Sequence, residues 1–233
     1  MSTVFISGAT GYLGRPLTAA LVAAGFDVHA LTRPQSIRKL PLGCTPVPAN
    51  ALDLSTFRTA VPPFSTVIHL TGVAHPSPAR AAEFRSIDQV SFEASLSAAL
   101  SAHARHFIYV SVAHPAPVMH AYINVRRACE QRLLASGLPA TILRPWYILG
   151  PGHLWPYALL PLYKLAERIP AWRPSALRLG LVTHVQMRNA LVRAAANPPA
   201  GVDILDVPAI RAATSASPSA LSHSLRYPPN PSA

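Results

Sequence analysis

Through the first two thirds of the chain, short runs of apolar, often β-branched residues alternate with longer Ala- and Leu-rich stretches whose apolar positions return every three or four residues. The runs at residues 3–7, 26–31, 66–70, 107–111 and 140–143, with a weaker one at 45–47, have the length and continuity of strands covered on both faces. The stretches at 12–24, 54–61, 79–105 and 121–136 carry helical spacing. Gly25 closes the first of these and Gly137 the last, with Pro139 just beyond as a residue that cannot continue a helix. Strand and helix in strict alternation predict an α/β fold, a doubly wound parallel sheet with helices on both faces.

After Arg144-Pro145 the pattern changes. All three tryptophans and Tyr147, Tyr157 and Tyr163 fall in a Pro-interrupted stretch, whereas every phenylalanine lies at or before Phe107. We expect residues 1–145 to form the core and 146–211 a small C-terminal appendage that completes the same domain on the substrate side. Within it, strands are expected at 179–182 and 203–207 and a helix at 184–196. Residues 212–233 are rich in Ala, Ser and Pro without periodicity and are expected to be a disordered tail.

Composition narrows the chemistry. Twenty Lys and Arg against nine Asp and Glu give a formal charge of +11, although only 12% of residues are charged, so the chain is basic chiefly because acids are scarce. Only Asp203 and Asp206 are close neighbours among the carboxylates, which argues against paired-carboxylate hydrolysis and against a carboxylate-built Mg²⁺ or Ca²⁺ site. The cations are scattered, with no run beyond Arg38-Lys39 or Arg126-Arg127, and this argues against a nucleic-acid partner. Cys44 and Cys129 stand alone, without a disulfide framework or zinc-ligand spacing, so no metal is expected and a reducing, cytoplasmic location fits. The first residues lack a basic leader segment, and the most apolar later stretch is broken by Pro156, Pro161 and Lys164, so neither a signal peptide nor a transmembrane span is expected.

The sharpest motif lies at the start. Ser7-Gly8-Ala9-Thr10-Gly11-Tyr12-Leu13-Gly14 places three glycines between a strand and a helix. A backbone that must turn tightly, approach a pyrophosphate without Cβ interference and present a helix N-terminus to the anion requires glycine at such positions. The context predicts a Rossmann fold, with Gly8, Thr10, Gly11, Tyr12, Leu13 and Gly14 around a dinucleotide. At the end of the second strand, where an acid would read a ribose 2′-hydroxyl, stands Arg33, with Arg38 and Lys39 nearby, while Asp27 sits at the strand's beginning. A guanidinium there suits a 2′-phosphate, so NADP is preferred over NAD. Arg33 as a mere solvated loop charge is the competing reading.

With GATGYLG at 8–14, Ala51-Leu52-Asp53-Leu54, Val67-Ile68-His69-Leu70-Thr71-Gly72, Tyr109-Val110-Ser111 and Thr141-Ile142-Leu143-Arg144-Pro145, the chain over residues 1–210 resembles the short-chain dehydrogenase/reductase superfamily. The resemblance is to its extended and atypical members, the NAD-dependent epimerase/dehydratase-like and NmrA-like proteins. It implies that Asp53 contacts adenine, that Leu70, Thr71 and Gly72 lie along the adenosine and ribose, and that the stretch from Pro145 passes the nicotinamide. Asp53 is equally readable as a helix-capping residue.

The superfamily's chemistry uses a serine and a tyrosine with lysine four residues on, and here the corresponding positions are Ser111, Tyr122 and Arg126. Arginine keeps the charge but presents it as a planar fork that cannot join a proton relay. The resemblance therefore implies an NAD(P)-dependent oxidoreductase acting on a carbonyl, a quinone or a related small molecule, as a monomer or homodimer. The alternative, motivated by Arg126, is a noncatalytic cofactor-binding redox sensor or assembly subunit. His69 is expected to be a core histidine, His75, His114 and His120 to lie on loops at the carboxyl ends of the strands, and Glu130 to make surface pairs with Arg126 and Arg127.

Overall fold

The computed structural model describes residues 2–74, 76–150 and 168–213 of the 233-residue chain. Its elements in chain order are β1 (Thr3–Ser7), α1 (Gly14–Ala23), β2 (Asp27–Thr32), β3 (Thr45–Pro48), β4 (Thr66–His69), α2 (Val90–Ser101), β5 (His106–Val110), α3 (His120–Ala135), β6 (Ala140–Leu143), β7 (Tyr147–Leu149), α4 (Arg173–Arg178), β8 (Leu181–Thr183), α5 (His184–Ala196), β9 (Val202–Leu205) and α6 (Val207–Arg211).

Seven strands form one parallel sheet in the order β3-β2-β1-β4-β5-β6-β9. Strand order reverses at β1, which pairs with β2 on one side and β4 on the other, Val4 lying opposite both Val28 and Thr66. Such a reversal opens a crevice at the carboxyl ends of the two central strands. The residues there are Ser7 and His69, so the glycine loop that follows Ser7 enters the crevice directly.

The near-continuous hydrophobicity of the strands divides cleanly between the two faces. Val4 and Ile6 of β1 join Leu17, Leu21, Val28, Ile68, Ile108, Met187 and Leu191 beneath α1 and α5. Phe5 points the other way and joins Phe57, Phe84, Phe92, Phe107 and Tyr109 on the face covered by α2 and α3. Alternation with period two thus fills two cores from one strand, which is why the middle of β1, Val4-Phe5-Ile6, carries no polar residue.

Some expected elements take other forms. The 54–61 stretch is two short 3₁₀ turns, Leu54–Thr56 and Arg58–Ala60. The helix expected over 79–105 begins as a 3₁₀ turn and one α turn, widens into a π-helical turn at Phe84–Gln89, and ends at Ser101 because His103 adopts φ +49°. Beyond Pro145, β7 is additional, and β8 pairs with β7 in a separate two-stranded sheet, with Ile148 opposite Val182. Most of the Trp- and Tyr-rich stretch, the expected tail from 214 onward, and His75 lie outside the described residues. Among the described residues no helix is long and apolar enough to cross a membrane.

Candidate functional site

The glycine loop is built by contacts that admit no side chain. Gly8 has φ +75°, and a Cβ on it would lie 2.8 Å from the Leu70 carbonyl carbon and 2.9 Å from the Thr71 nitrogen at the end of β4. A Cβ on Gly14 would overlap the carbonyl oxygen of Gly8. The Gly11 N–H donates to that same oxygen at 3.0 Å and closes the turn into α1. The helix carries neither a side-chain cap at Leu13 nor an acid in its first turn, so its positive end faces the crevice uncompensated.

Tyr12 is held from two other parts of the chain. His184, at the start of α5, donates from Nε2 to the Tyr12 carbonyl at 3.0 Å, and the two rings meet edge-on at 4.9 Å. Gly150 lies against the Tyr12 hydroxyl so closely that a Cβ there would overlap it. His184 did not stand out in the sequence, because it acts through a contact with a residue 172 positions away.

At the end of β2, Arg33 is exposed and makes no ion pair among the described residues. The 3₁₀ turn Pro34–Lys39 carries the exposed Arg38 and Lys39 at its far end. Asp27, at the other end of β2, lies 3.3 Å from His29 Nε2. Asp53 caps the turn Leu54–Thr56, its Oδ1 accepting from the Ser55 N–H at 3.0 Å and the Ser55 hydroxyl at 2.7 Å.

The ends of β4 and β5 carry polar groups that the protein leaves unanswered. The hydroxyls of Thr71 and Ser111 and the Nε of Arg126 are buried without a hydrogen-bond partner among the described residues. Buried polar atoms are ordinarily paired, so two such hydroxyls, that of Thr71 beside the glycine loop and that of Ser111 at the end of the adjoining strand, fit a group that brings its own donors and acceptors. Pro145 closes this side, its carbonyl accepting from the Ala113 N–H at 2.9 Å.

Tyr122 and Arg126 share a face of α3, as their spacing requires. The guanidinium lies 4.9 Å from the centre of the Tyr122 ring, which also packs on Phe84 at 5.0 Å. By the resemblance Arg126 occupies the position of the lysine. Its guanidinium pairs through Nη2 with Asp88 Oδ1 and donates from Nη1 to the Val110 carbonyl at 2.9 Å and the Tyr109 hydroxyl at 3.4 Å. Asp88, missed in the sequence, also accepts the Val73 N–H at 3.0 Å and so fixes the loop after β4. The neighbouring Gly72 has no room for a side chain, since a Cβ would lie 2.7 Å from Arg126 Nη2 and 2.9 Å from Asp88 Oδ1.

This pairing sets the electrostatics. Burial pushes the Tyr122 phenol above its ordinary pKa; Arg126 pulls it back only in part, and the Asp88 charge opposes that pull. Tyr109 is driven up more strongly, again by burial. Burial opposes the charge on Arg126, yet Tyr109, Tyr122 and Asp88 together hold its pKa above the ordinary value, so it stays protonated. His69 is the expected core histidine, with the Ser7 and Ser95 hydroxyls 3.0 and 2.9 Å from Nδ1 and its pKa brought down to about 3, first by burial and then by Arg126. Glu130 departs from expectation. It is buried and pairs with Arg144 and His114, not with its helix neighbours Arg126 and Arg127. No three metal-ligating side chains gather among the described residues.

A glycine loop at the reversal point of a parallel sheet, leading into an uncapped helix, is the geometry of a dinucleotide-binding protein. Residues 8–152 match the family model described as NAD(P)H-binding, and the chain belongs to that family. It is 33% identical over 171 residues to the ceramide reductase of Caulobacter vibrioides (strain NA1000 / CB15N), covering 72% of this chain and 52% of that protein. It is 27% identical over 168 residues to the 4-hydroxy-2-methyl-3-oxo-4-farnesyl-3,4-dihydroquinoline-1-oxide ketoreductase of Stigmatella aurantiaca, covering 63% and 50%. The chain therefore spans about half the length of these relatives. Among solved structures, the Bordetella bronchiseptica enzyme WbmH in complex with NAD⁺ superposes with a TM-score of 0.66 at 18% identity, over 88% of this chain and 75% of that one.

Proposed function

We propose that this protein is a reductase that prefers NADPH and acts on a ketone carried by a molecule with a long apolar portion. The observation that carries the reading is the pair of buried hydroxyls of Thr71 and Ser111, without partners among the described residues, at the ends of adjoining strands, the first of them beside the open glycine loop. The two named relatives, a ceramide reductase and a farnesyl-quinoline ketoreductase, supply the substrate class by analogy.

Gly8, Gly11 and Gly14 with the N-terminus of α1 would hold the pyrophosphate; Leu70, Thr71, Gly72 and Pro145 would line the path to the reacting end. Arg33, supported by Arg38 and Lys39, would hold a 2′-phosphate. When bound, NADPH supplies the hydride. Ser111 donates a hydrogen bond to the substrate oxygen and orients it, and Tyr122 passes its phenolic proton to that oxygen. A phenol kept above its ordinary pKa is the proton-donating form at neutral pH, which suits reduction. In this scheme Arg126 supports the tyrosine ring, its charge largely answered by Asp88. That same commitment of Arg126 favours the second reading, a cofactor-binding sensor that transfers no hydride.

Calorimetric titration with NADPH and NADH tests cofactor choice. NADPH is expected to bind at least about tenfold more tightly, with Arg33→Ala erasing most of the difference. Oxidation of NADPH in the presence of dodecan-3-one tests the reaction. Tyr122→Phe should abolish it while cofactor affinity holds, and undiminished turnover would remove Tyr122 from the mechanism. Turnover that arises only in Arg126→Lys would favour the sensor.

A further inference from the structure

At the carboxyl ends of β5, β6 and β9 lies an open cleft of about 380 Å³, walled by His114, Arg144, Leu177, Arg178, Asp206 and Pro208. Behind it stands Glu130 of α3, its side chain only 4% exposed. Arg144 grips this carboxylate with two parallel bonds, Nε to Oε1 at 3.1 Å and Nη2 to Oε2 at 2.5 Å. His114 Nε2 lies 3.3 Å from the same Oε2.

An ionised carboxylate only accepts hydrogen bonds, so the ring nitrogen facing Glu130 must carry the hydrogen. In a neutral imidazole the other nitrogen, Nδ1, is then an acceptor, and it has no hydrogen-bond partner among the described residues. Among the described residues the charges around the cleft cancel. Arg144 is answered by Glu130, while Arg178 and Asp206 enter with opposite signs. Both of these already serve the backbone, Arg178 Nε donating to the Pro115 carbonyl at 3.2 Å and Asp206 accepting the Ala209 N–H at 3.0 Å. A cleft without net charge that offers a fixed acceptor and an apolar wall in Leu177 and Pro208 suits a neutral group that donates a hydrogen bond.

We propose that this cleft binds a neutral, hydroxyl-bearing end of the substrate, with His114 Nδ1 accepting the hydroxyl and Glu130 as the positioning residue that holds His114 in its Nε2–H form. The substrate assignment rests on the reductase reading, whereas the tautomer and the binding preference stand without it.

Two-bond proton–nitrogen correlation spectra of the imidazole rings in the full chain report the tautomer directly. His114 is expected as the Nε2–H form, and an Nδ1–H form overturns the proposal. Titration with octane-1,2-diol should move the His114 Nδ1 resonance, and octanoate at the same concentration should move it far less; equal responses, or none to the diol, overturn it. Glu130→Gln should lose the tautomer preference. If that variant does not fold, turnover decides. The intact chain should show a KM about tenfold lower for 1-hydroxydodecan-3-one than for dodecan-3-one, and His114→Phe should bring the two together. Turnover of both ketones with equal KM in the intact chain refutes the subsite alone. A diol response without turnover of either ketone refutes the reductase reading alone.

Discussion

Replacing Asp88 by asparagine removes one charge from a pair whose side chains are 1% (Asp88) and 8% (Arg126) exposed. The amide can still accept the Val73 N–H, so the loop after β4 keeps its tether, but the guanidinium is left as a buried cation without a counter-ion. Breaking a buried pair in this way costs about 3–5 kcal/mol. Set against a typical domain stability of about 5–15 kcal/mol, the variant should remain folded at low temperature with a much reduced urea midpoint. Asp88→Leu combined with Arg126→Met replaces the pair by apolar volume and should recover most of the loss. The phenol responds as well. The Asp88 charge opposes the pull of Arg126 on the phenol, so its loss should lower the Tyr122 pKa. Tyrosinate absorbance followed against pH measures this, with Tyr122→Phe subtracted to isolate one of seven tyrosines. A urea midpoint within experimental error of the parent, or a double variant no more stable than Asp88→Asn alone, would refute the view that Arg126 is an arginine anchored by its carboxylate.

Gly8→Ala forces a Cβ to 2.8 Å from the Leu70 carbonyl carbon at φ +75°, and should abolish calorimetrically detectable NADPH binding and lower stability by at least about 1–3 kcal/mol. His69 and His106 titrate near about 3 and about 4 in the folded protein, below the about 6.5 of an unfolded histidine, both chiefly through burial. Between those values the unfolded chain binds more protons, so stability is complete above about pH 6.5 and is lost as pH falls, by up to about 1.4 kcal/mol per pH unit for each ring. Denaturation at pH 7 and pH 4.5 measures the slope, which His106→Asn should flatten; an unchanged slope would mean that His106 is already protonated when folded.

The strands and the glycine loop were legible because their signals are local. A run such as Val4-Phe5-Ile6 declares burial on both faces, and Gly8 and Gly14 occupy positions where the neighbouring backbone excludes a side chain. Asp88 was not legible. It sits in a π-helical turn that shifts the helical register, and its partner is 38 positions away. Glu130 was misread for a related reason. Helical spacing placed it near Arg126 and Arg127, but it faces inward to a cation at the end of β6 that no periodicity in α3 could reveal. The 54–61 stretch has helical spacing, yet Asp53 and the Thr56 hydroxyl, which donates to the Asp53 carbonyl at 2.7 Å, bind the nearby backbone and shape a tight turn instead.

The contact of Tyr12 with Gly150 and His184 bears on how the protein is made. The composition of the chain breaks after Pro145, yet the loop that opens near residue 8 meets its last supports only when residues 150 and 184 have been synthesised. The core beneath α1 is likewise completed by Met187 and Leu191, so an amino-terminal fragment ending at the compositional break would leave Leu17 and Leu21 partly uncovered. The carboxyl-terminal part of the chain thus completes the support of a loop that its own glycines close, and ligand-induced stabilisation of a nascent chain should increase once α5 has left the ribosome.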